Sequence, residues 1–235
     1  MDADFLIIGG GIAGISAAAR LGQLGSVIVL EAEDTLAYHA SGRSAAMYEP
    51  YYGAPAVVGL SLASGAYFRA QPGVLAPRGM LMVGKATEAD AIAREAEAMQ
   101  LALIPVEAAL ALVPVLNPAT IAYAAMAMHA WDIDTDLLVQ GFAREARALG
   151  AEFRLKARVT VIGRIAGGWS VMAGGVEITA RQIVNAAGAW ADQVAVLARV
   201  RPLGLQPMRR SMARIPAPGG HDTRGWPMQI GRAHV

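Results

Sequence analysis

A glycine-rich turn between an apolar strand and a helix constrains this chain more than any other feature. Residues 5–8 read Phe-Leu-Ile-Ile, an apolar run that predicts a buried parallel strand. Residues 12–24 carry the apolar stripe of a helix, which Gly25 is expected to end. Between these two elements, residues 9–14 match the pattern G-x-G-x-x-G. The pattern alone is weak, but a strand before it and a helix after it are the context that dinucleotide binding requires.

Each glycine of this pattern has its own physical role. Gly9 permits the tight turn, Gly11 lets the backbone approach a pyrophosphate, and Gly14 lets the helix pack closely against the strand. The helix N-terminus at Ile12 and Ala13 offers free N–H groups and a positive dipole end to phosphates. We therefore predict a dinucleotide-binding turn here; the alternative is a glycine-rich turn that binds nothing.

An acidic residue follows the second predicted strand, which spans residues 26–30. A carboxylate at Glu31 is placed to accept hydrogen bonds from ribose hydroxyls, and Ala32 is expected to lie beside it. Because an acid there repels a 2′-phosphate, NADP is disfavoured. The alternative for Glu31 is a solvated strand end. FAD and NAD both place a pyrophosphate on this helix, so residues 5–32 alone do not separate them.

Composition excludes several classes of protein and of site. With 235 residues, the chain is long enough for one large α/β domain or two smaller ones. A formal net charge of +1 gives no global attraction to nucleic acid. The absence of cysteine excludes disulfides, thiolate zinc sites and a cysteine-tethered flavin, and we expect no metal site. No signal-peptide pattern or apolar span stands out, so we expect a cytoplasmic protein, with peripheral contact at the inner membrane face left open.

Strands and helices typical of a nucleotide-binding domain occur in two parts of the chain, at the start and near residues 132–200. A block of different character lies between the two parts. The second part is predicted to contain a helix at 137–149, an antiparallel meander at 158–164, 168–173 and 176–179, a strand at 181–185 and a helix at 189–197. We therefore predict an α/β fold whose Rossmann-like domain is discontinuous, comprising residues 1–44 and 132–200.

The remaining residues, 45–131 and 201–230, are predicted to form an interleaved α+β substrate domain with an antiparallel sheet. Its expected elements are helices near 57–68 and 87–99 and an alternating strand at 202–215. Thr87 is expected to cap the second helix, with Asp90 closing the capping box. Residues 231–235 follow no recognisable element, and one hypothesis is that they are non-native sequence joined to a truncated reading frame.

Four further segments carry a resemblance to a known family. They are His-Ala-Ser-Gly-Arg-Ser-Ala-Ala at 39–46, Asp-Ile-Asp-Thr-Asp at 132–136, Val-Asn-Ala-Ala-Gly-Ala-Trp at 184–190 and Arg-Pro-Leu-Gly-Leu-Gln-Pro-Met-Arg-Arg-Ser at 201–211. With the glycine turn, they resemble the FAD-dependent D-amino-acid oxidase and dehydrogenase family, and within it the bacterial D-arginine dehydrogenases. The resemblance runs from Ala3 to about Met228. Since members of that family are longer, we expect the chain to represent their N-terminal two-thirds.

The resemblance implies FAD as cofactor and a set of residues around it. It places the loop Ser41, Gly42, Arg43, Ser44 and Ala45 under the flavin, with Ser44 and Ala45 beside the reactive ring nitrogen. It places Val159 near the adenine, and Ala187 and Gly188 near the ADP moiety. The alternative for the two serines is a plain turn with a helix cap, and for the valine an ordinary strand position.

The resemblance also implies a substrate side. Tyr52 resembles an active-site tyrosine, and Arg210 an arginine that pairs with the substrate carboxylate, a role suited to a planar guanidinium. The alternative for Arg210 is a solvated strand arginine. Two positions depart from the D-arginine enzymes: Met47 stands where they have a histidine, and Gly79 where they have a glutamate that meets the cationic side chain. We therefore predict a D-amino acid with an apolar or small side chain, unless Glu49 replaces the missing carboxylate.

The implied reaction is oxidation of the Cα–N bond to an imino acid, which hydrolyses to a 2-oxo acid and ammonia. The electron acceptor, O₂ or a quinone-linked carrier, stays open at this point. So do three rivals: a glycine or sarcosine type of flavin amine oxidase, an NAD-linked dehydrogenase, and a non-catalytic FAD-binding subunit or fragment. His129 and His221 are isolated in the sequence and are expected to be structural or exposed rather than catalytic bases.

Overall fold

Strands and helices alternate along the chain in the computed structural model, which describes residues 1–44, 46–213 and 215–231. The strands are β1 (Ala3–Ile8), β2 (Val27–Leu30), β3 (Met47–Tyr48), β4 (Leu75–Pro77), β5 (Met80–Gly84), β6 (Ala102–Ile104), β7 (Tyr123–Ala127), β8 (Trp131–Ile133), β9 (Glu152–Arg154), β10 (Val159–Ile165), β11 (Gly168–Ala173), β12 (Val176–Asn185) and β13 (Met228–Gly231). The helices are α1 (Ile12–Leu21), α2 (Pro55–Ala70), α3 (Ala89–Ala98), α4 (Val106–Leu112), α5 (Thr135–Ala148) and α6 (Ala191–Leu197). Short 3-10 turns span Ala40–Arg43, Ala86–Glu88 and Gly188–Trp190.

The described residues divide into two compact units. The first unit comprises residues 1–44 and 135–211, and the second unit comprises 46–134 and 212–231. Each unit is therefore built from two separate stretches of the chain. Residues 201–211, which the sequence analysis placed with the substrate domain, group with the first unit.

The first unit is built on a six-stranded sheet in the order β10-β11-β12-β1-β2-β9. Strands β12, β1, β2 and β9 run parallel, and the meander β10-β11-β12 is antiparallel. The parallel strands β1 and β2 are almost entirely apolar because both of their faces are covered. Helices α1 and α5 pack against one another, and an ion pair between Arg20 and Glu145 joins them at 2.9 Å.

Strand β12 corrects one prediction. Residues 176–179 and 181–185 were expected to be two strands, but they form one continuous strand. Its first half pairs antiparallel with β11 and its second half pairs parallel with β1. The burial pattern changes at the same place, from buried Ile178 and Ala180 to half-buried Ile183 and Val184, and so the hydrophobic pattern breaks where the strand itself does not.

The second unit contains two small sheets. One has the order β13-β5-β7-β6, with β13 parallel to β5 and the other pairs antiparallel; the other is the antiparallel sheet β3-β8-β4. Strand β5 is buried along its whole length because one face packs on α3 and the other on α4. The mixed α/β class predicted from the sequence is confirmed.

Two further local predictions are wrong. Residues 202–213, expected in a strand, have no strand partner and are exposed; Leu203 is 84 % exposed. Their alternation indicates two chemically different faces, but a strand also needs a neighbour to accept its hydrogen bonds. Helix α3 begins at Ala89 without a side-chain cap from Thr87, because the preceding 3-10 turn is closed by Glu88, whose carboxylate accepts the Lys85 N–H at 2.8 Å.

Candidate functional site

The glycine turn lies where the carboxyl ends of three neighbouring parallel strands meet. Ile8 at the end of β1 is paired with Leu30 on one side and with Asn185 on the other. Gly9 follows with φ +116°, a conformation that L side chains rarely adopt, and a Cβ there would overlap the carbonyl oxygen of Ala186. In open α/β sheets, the carboxyl ends of the strands are the edge at which ligands bind.

The other two glycines of the pattern differ in their surroundings. A Cβ on Gly14 would overlap the carbonyl oxygen of Gly9, so α1 approaches the end of β1 more closely than a side chain allows. A Cβ on Gly11 would approach only the Ser41 hydroxyl, at 3.2 Å. The N–H groups of Gly11 and Ala13 have no acceptor within the described part of the chain. This helix N-terminus therefore presents free donors beside a small backbone recess, the arrangement that binds a pyrophosphate.

Glu31 is buried, and its carboxylate supports the glycine turn directly. Oε2 accepts the N–H of Gly10 at 2.7 Å, and Oε1 accepts the N–H of Glu33 at 2.9 Å. A carboxylate has about four lone-pair sites, so these two bonds leave capacity for ribose hydroxyls. Ala32 follows it, half-buried, as the chain leaves the sheet.

Ser41 reaches the N-terminus of α1 from the 3-10 turn at 40–43. Its Oγ accepts the N–H of Ile12 at 3.0 Å, so the helix-cap alternative describes a contact that Ser41 does make. The cap is supplied from a distant part of the chain to the helix that carries the glycine pattern. Ser41 therefore belongs geometrically to the same site as Gly11 and Ile12.

The rest of this loop is packed on itself. A Cβ on Gly42 would overlap the carbonyl oxygen of Ala37, and the Arg43 guanidinium lies 4.6 Å from the centre of the Tyr38 ring. Ser44 is exposed at the end of the turn. Ala45, also predicted to contact the flavin, lies outside the described residues.

The second strand-to-helix turn of the first unit stands next to the glycine turn. Ala187 lies close to the position of a Cβ on Gly9, and its N–H donates to the Asn185 side chain at 3.3 Å. Gly188 has φ +53° and open space around it. Val159 begins β10, packs on the core of this unit, and is followed by an irregular register in the pairing with β11.

A polar and aromatic cluster near this edge has no counterpart in the sequence predictions. The Glu33 carboxylate lies 3.1 Å from His39 Nε2 and 3.7 Å from the Arg158 guanidinium. The His39 ring packs against Trp190, with centroids 4.6 Å apart. These residues come from three separate segments of the chain, so no local spacing indicates their association.

The residues predicted on the substrate side fall in the second unit, apart from Arg210. Met47 begins β3 and pairs with Asp132, and Tyr52 is 64 % exposed in the turn after that strand. Gly79 has φ +71°, and a Cβ there would lie 2.8 Å from the methyl carbon of Met126. Arg210 is exposed in the irregular stretch of the first unit, and its side chain makes no ion pair with the described residues.

His129 is not isolated as its sequence context suggested. Its Nε2 lies 3.2 Å from Oε2 of Glu49, at an angle outside that of a regular hydrogen bond, so the contact is a close polar one that becomes an ion pair only with a protonated imidazole. The Glu49 side chain is only 2 % exposed, and this burial raises its pKa above the ordinary value. The other histidine, His221, is exposed and lies 5.8 Å from the Trp226 ring.

Comparison with known proteins identifies the family. The family model described as FAD dependent oxidoreductase (DAO) matches residues 4–234. The chain belongs to this family. The FAD expectation is thereby confirmed, and the turn fits it, since the free N–H donors of Gly11 and Ala13 are groups of the kind that binds a pyrophosphate.

Solved structures of three other proteins share the fold. Glycine oxidase from Geobacillus kaustophilus is similar with a TM-score of 0.74 at 22 % identity, over 84 % of this chain and 58 % of its own. L-proline dehydrogenase from P. horikoshii is similar with a TM-score of 0.78 at 20 % identity, over 98 % of this chain and 64 % of its own. L-α-glycerophosphate oxidase from Mycoplasma pneumoniae, solved with FAD bound, is similar with a TM-score of 0.73 at 23 % identity. The match covers 84 % of this chain and 57 % of that protein. The chain thus spans about three-fifths of each of these longer proteins.

Two other features, a metal-binding cluster and a membrane-spanning helix, are absent from the described residues. Across residues 1–44, 46–213 and 215–231, no group of three or more His, Asp or Glu side chains is arranged to hold a metal ion. Within the same residues, no helix combines the length and apolar character needed to cross a membrane.

Proposed function

We propose that this protein is a flavoenzyme that oxidises the Cα–N bond of D-amino acids with apolar or small side chains. Membership of the FAD dependent oxidoreductase family supports the redox chemistry. The resemblance of residues 39–46 and 201–211 to D-amino-acid dehydrogenases supports the substrate class. In this reaction, the substrate loses a hydride from Cα and a proton from nitrogen, and water then converts the imino acid to a 2-oxo acid and ammonia.

The residues at the carboxyl ends of β1, β2 and β12 are proposed to hold FAD. Free N–H groups at the start of α1 would meet the pyrophosphate, Glu31 the ribose, and residues 41–45 the flavin. Ala187, Gly188 and Val159 would lie along the ADP moiety. The chemistry that FAD supplies when bound is acceptance of a hydride.

Arg210 and Tyr52 are proposed to orient the substrate. A guanidinium forms two parallel hydrogen bonds to a carboxylate, which would fix Cα and its hydrogen. Tyr52, whose side chain is free of the protein core, would order the amine end or close the pocket. The amine must lose a proton during oxidation, and a substrate that arrives as the neutral amine needs no dedicated base.

The contacts of Glu49 are the observation that carries the proposed side-chain specificity. Recognition of a cationic side chain needs a carboxylate, and Gly79 supplies none at the position where the D-arginine enzymes have one. Glu49 is buried, with one oxygen bonded to the Tyr51 N–H and the other beside His129. A substrate cation without a carboxylate partner would lose a charge-assisted bond of about 1.5–3 kcal/mol. Met47 adds a flexible apolar surface instead.

A panel of substrates tests the proposal through bleaching of the flavin absorbance without oxygen. We expect D-Met, D-Leu, D-Phe and D-Ala to reduce the flavin faster than D-Arg and D-Lys, with little reaction of the L-enantiomers. Faster turnover of D-Arg and D-Lys would contradict the side-chain specificity. Reaction of glycine or sarcosine alone would assign the protein to the glycine oxidase type, and a yellow protein that no amine bleaches would be a non-catalytic flavin-binding protein.

The electron acceptor is tested separately by reoxidising the reduced protein. We propose a dehydrogenase that passes electrons to a quinone-linked carrier, on the resemblance to the D-arginine enzymes. Reoxidation by a soluble quinone analogue should then be much faster than by air-saturated buffer. Rapid formation of hydrogen peroxide in air would instead identify an oxidase.

A further inference from the structure

Glu49 is a buried carboxylate for which the reaction has no use. It follows the two-residue strand β3, and its side chain is 2 % exposed. Carboxylates are rarely buried unless they are paired, because removing the charge from water costs several kcal/mol. The contacts that retain it therefore indicate what it does.

All of these contacts are with the turn that follows or with His129. Oε1 accepts the Tyr51 N–H at 3.0 Å, and the backbone carbonyl accepts the Tyr52 N–H at 3.3 Å. Oε2 lies 3.2 Å from Nε2 of His129, in the link between β7 and β8. The Tyr51 ring stands edge-on to the His129 ring, with centroids 5.2 Å apart. Glu49 thus contacts both the turn that follows it, at residues 50–52, and the link between β7 and β8 that carries His129.

We propose that Glu49, paired with His129, is a positioning residue that fixes the backbone of residues 49–52 and thereby the position of Tyr52. The inference rests on the proposed function for the role of Tyr52 in the substrate site. Strand β3 pairs with β8 only at Met47 and Tyr48, so the sheet does not hold the residues that follow. The Glu49 carboxylate supplies the acceptor that the missing strand neighbour would otherwise provide.

The identity of the side chain supports positioning over bulk stability. Well-packed apolar residues stabilise a core as well as a buried ion pair does, often better. An apolar residue at position 49, however, would leave the Tyr51 N–H without its acceptor and the turn without its link to His129. Among the described residues, His129 is the only titratable group whose charge acts on Glu49, and Tyr51 is the other titratable side chain in contact with the pair.

The variants that test this are Glu49→Ala, Glu49→Gln and His129→Gln in the FAD-loaded protein. Glu107→Gln is the control, since it makes the same change at an exposed glutamate of the second unit. Backbone hydrogen exchange at Tyr51 and Tyr52 reports the turn without substrate. Loss of the Tyr51 bond in Glu49→Ala should raise exchange there by up to about tenfold. Glu49→Gln keeps an acceptor oxygen and should change it less than about threefold.

Kinetics then relate the turn to the substrate. We expect Glu49→Ala to raise KM for the best D-amino acid more than it lowers kcat, with rescue by Glu49→Gln and no change in Glu107→Gln. Unchanged exchange at Tyr51 and Tyr52 in both Glu49 variants would overturn the inference; if Glu49→Ala does not fold, wild-type exchange in His129→Gln would overturn the pairing. Faster exchange in a protein that oxidises no D-amino acid would support the positioning of the turn and refute the proposed function alone.

Discussion

The Glu31 carboxylate and the Gly10 N–H are joined by a hydrogen bond of 2.7 Å that crosses from the end of β2 to the glycine turn. A side chain expected to meet the ribose therefore also holds the turn expected to meet the pyrophosphate. In the proposed FAD site, one buried group would therefore couple the ribose side to the pyrophosphate side. Loss of the Glu31 carboxylate should therefore affect the stability of the protein without FAD as well as the affinity for FAD.

Replacement of Glu31 by alanine should lower both stability and FAD affinity. The buried Gly10 N–H would lose its acceptor, at a cost of about 1–3 kcal/mol in the free energy of unfolding. Glu31→Gln keeps one acceptor oxygen and should retain most of the stability while it weakens FAD binding. Urea unfolding and flavin fluorescence titration measure the two effects, and the exposed Glu97→Gln is the control. Equal stability of Glu31→Ala and wild type would contradict a structural role for the bond.

Two helical glycines should respond in opposite directions to alanine. Gly14→Ala pushes a methyl group against the Gly9 carbonyl, and we expect a loss of about 1–3 kcal/mol together with weak FAD binding. Gly141 in α5 has open space around its Cβ position, so Gly141→Ala should stabilise the protein by about 0.5–1 kcal/mol. Thermal and urea unfolding compare the pair. Destabilisation by both variants to the same extent would indicate a general helix effect instead of close approach.

The pH dependence of stability should carry a contribution from Glu49. Burial raises the pKa of this carboxyl above its ordinary value of 4.5, so the folded state favours the protonated form. The resulting stabilisation is fully present below pH 4.5 and is lost as the pH rises through the raised pKa. Wild type should therefore lose stability relative to Glu49→Gln as the pH rises through that window, which urea unfolding at a series of pH values would measure. A wild-type advantage that grows with pH would be evidence against this.

Position 79 should tolerate only glycine, which limits how specificity can be changed. In Gly79→Ala, the left-handed backbone should cost about 1–2 kcal/mol of unfolding free energy, and the new Cβ would also press against the Met126 methyl group. Gly150 has φ +86° and open space, so Gly150→Ala measures the backbone cost alone. The unfolding free energy should fall further for Gly79→Ala than for Gly150→Ala. For the same reason Gly79→Glu should lose stability without gaining activity toward D-Arg, which a substrate panel would check.

The sequence predicts the first unit well because its signals are local. Strand β1, the glycine turn and α1 each depend on residues that are neighbours in the chain, and Glu31 lies at a fixed distance beyond them. Helix α5 and its stop at Gly150 follow from periodicity and a left-handed glycine. Strand β12 was divided in two because its neighbour changes from β11 to β1 part-way along.

The parts that sequence did not predict depend on contacts between distant segments. Nothing near His129 indicates Glu49, and nothing near His39 indicates Trp190. Residues 202–213 show the opposite error, since an alternating pattern suggested a strand where no neighbour is present in the described residues. Three backbone N–H groups at 203–205 instead donate to the Asp192 carboxylate, at 2.7–3.0 Å. A side chain from α6 therefore fixes this backbone locally.

The overlap that a Cβ on Gly9 would make with Ala186 has a consequence for how the protein folds. Strand β1 is synthesised first, but its neighbour β12 ends at Asn185, and all of the second unit's residues 46–134 are made in between. Closing a loop of this length costs more entropy than closing a local one, and contacts of high sequence separation slow folding. The close approach of Gly9 to the Ala186 carbonyl therefore forms only after the chain beyond Ala186 has emerged from the ribosome.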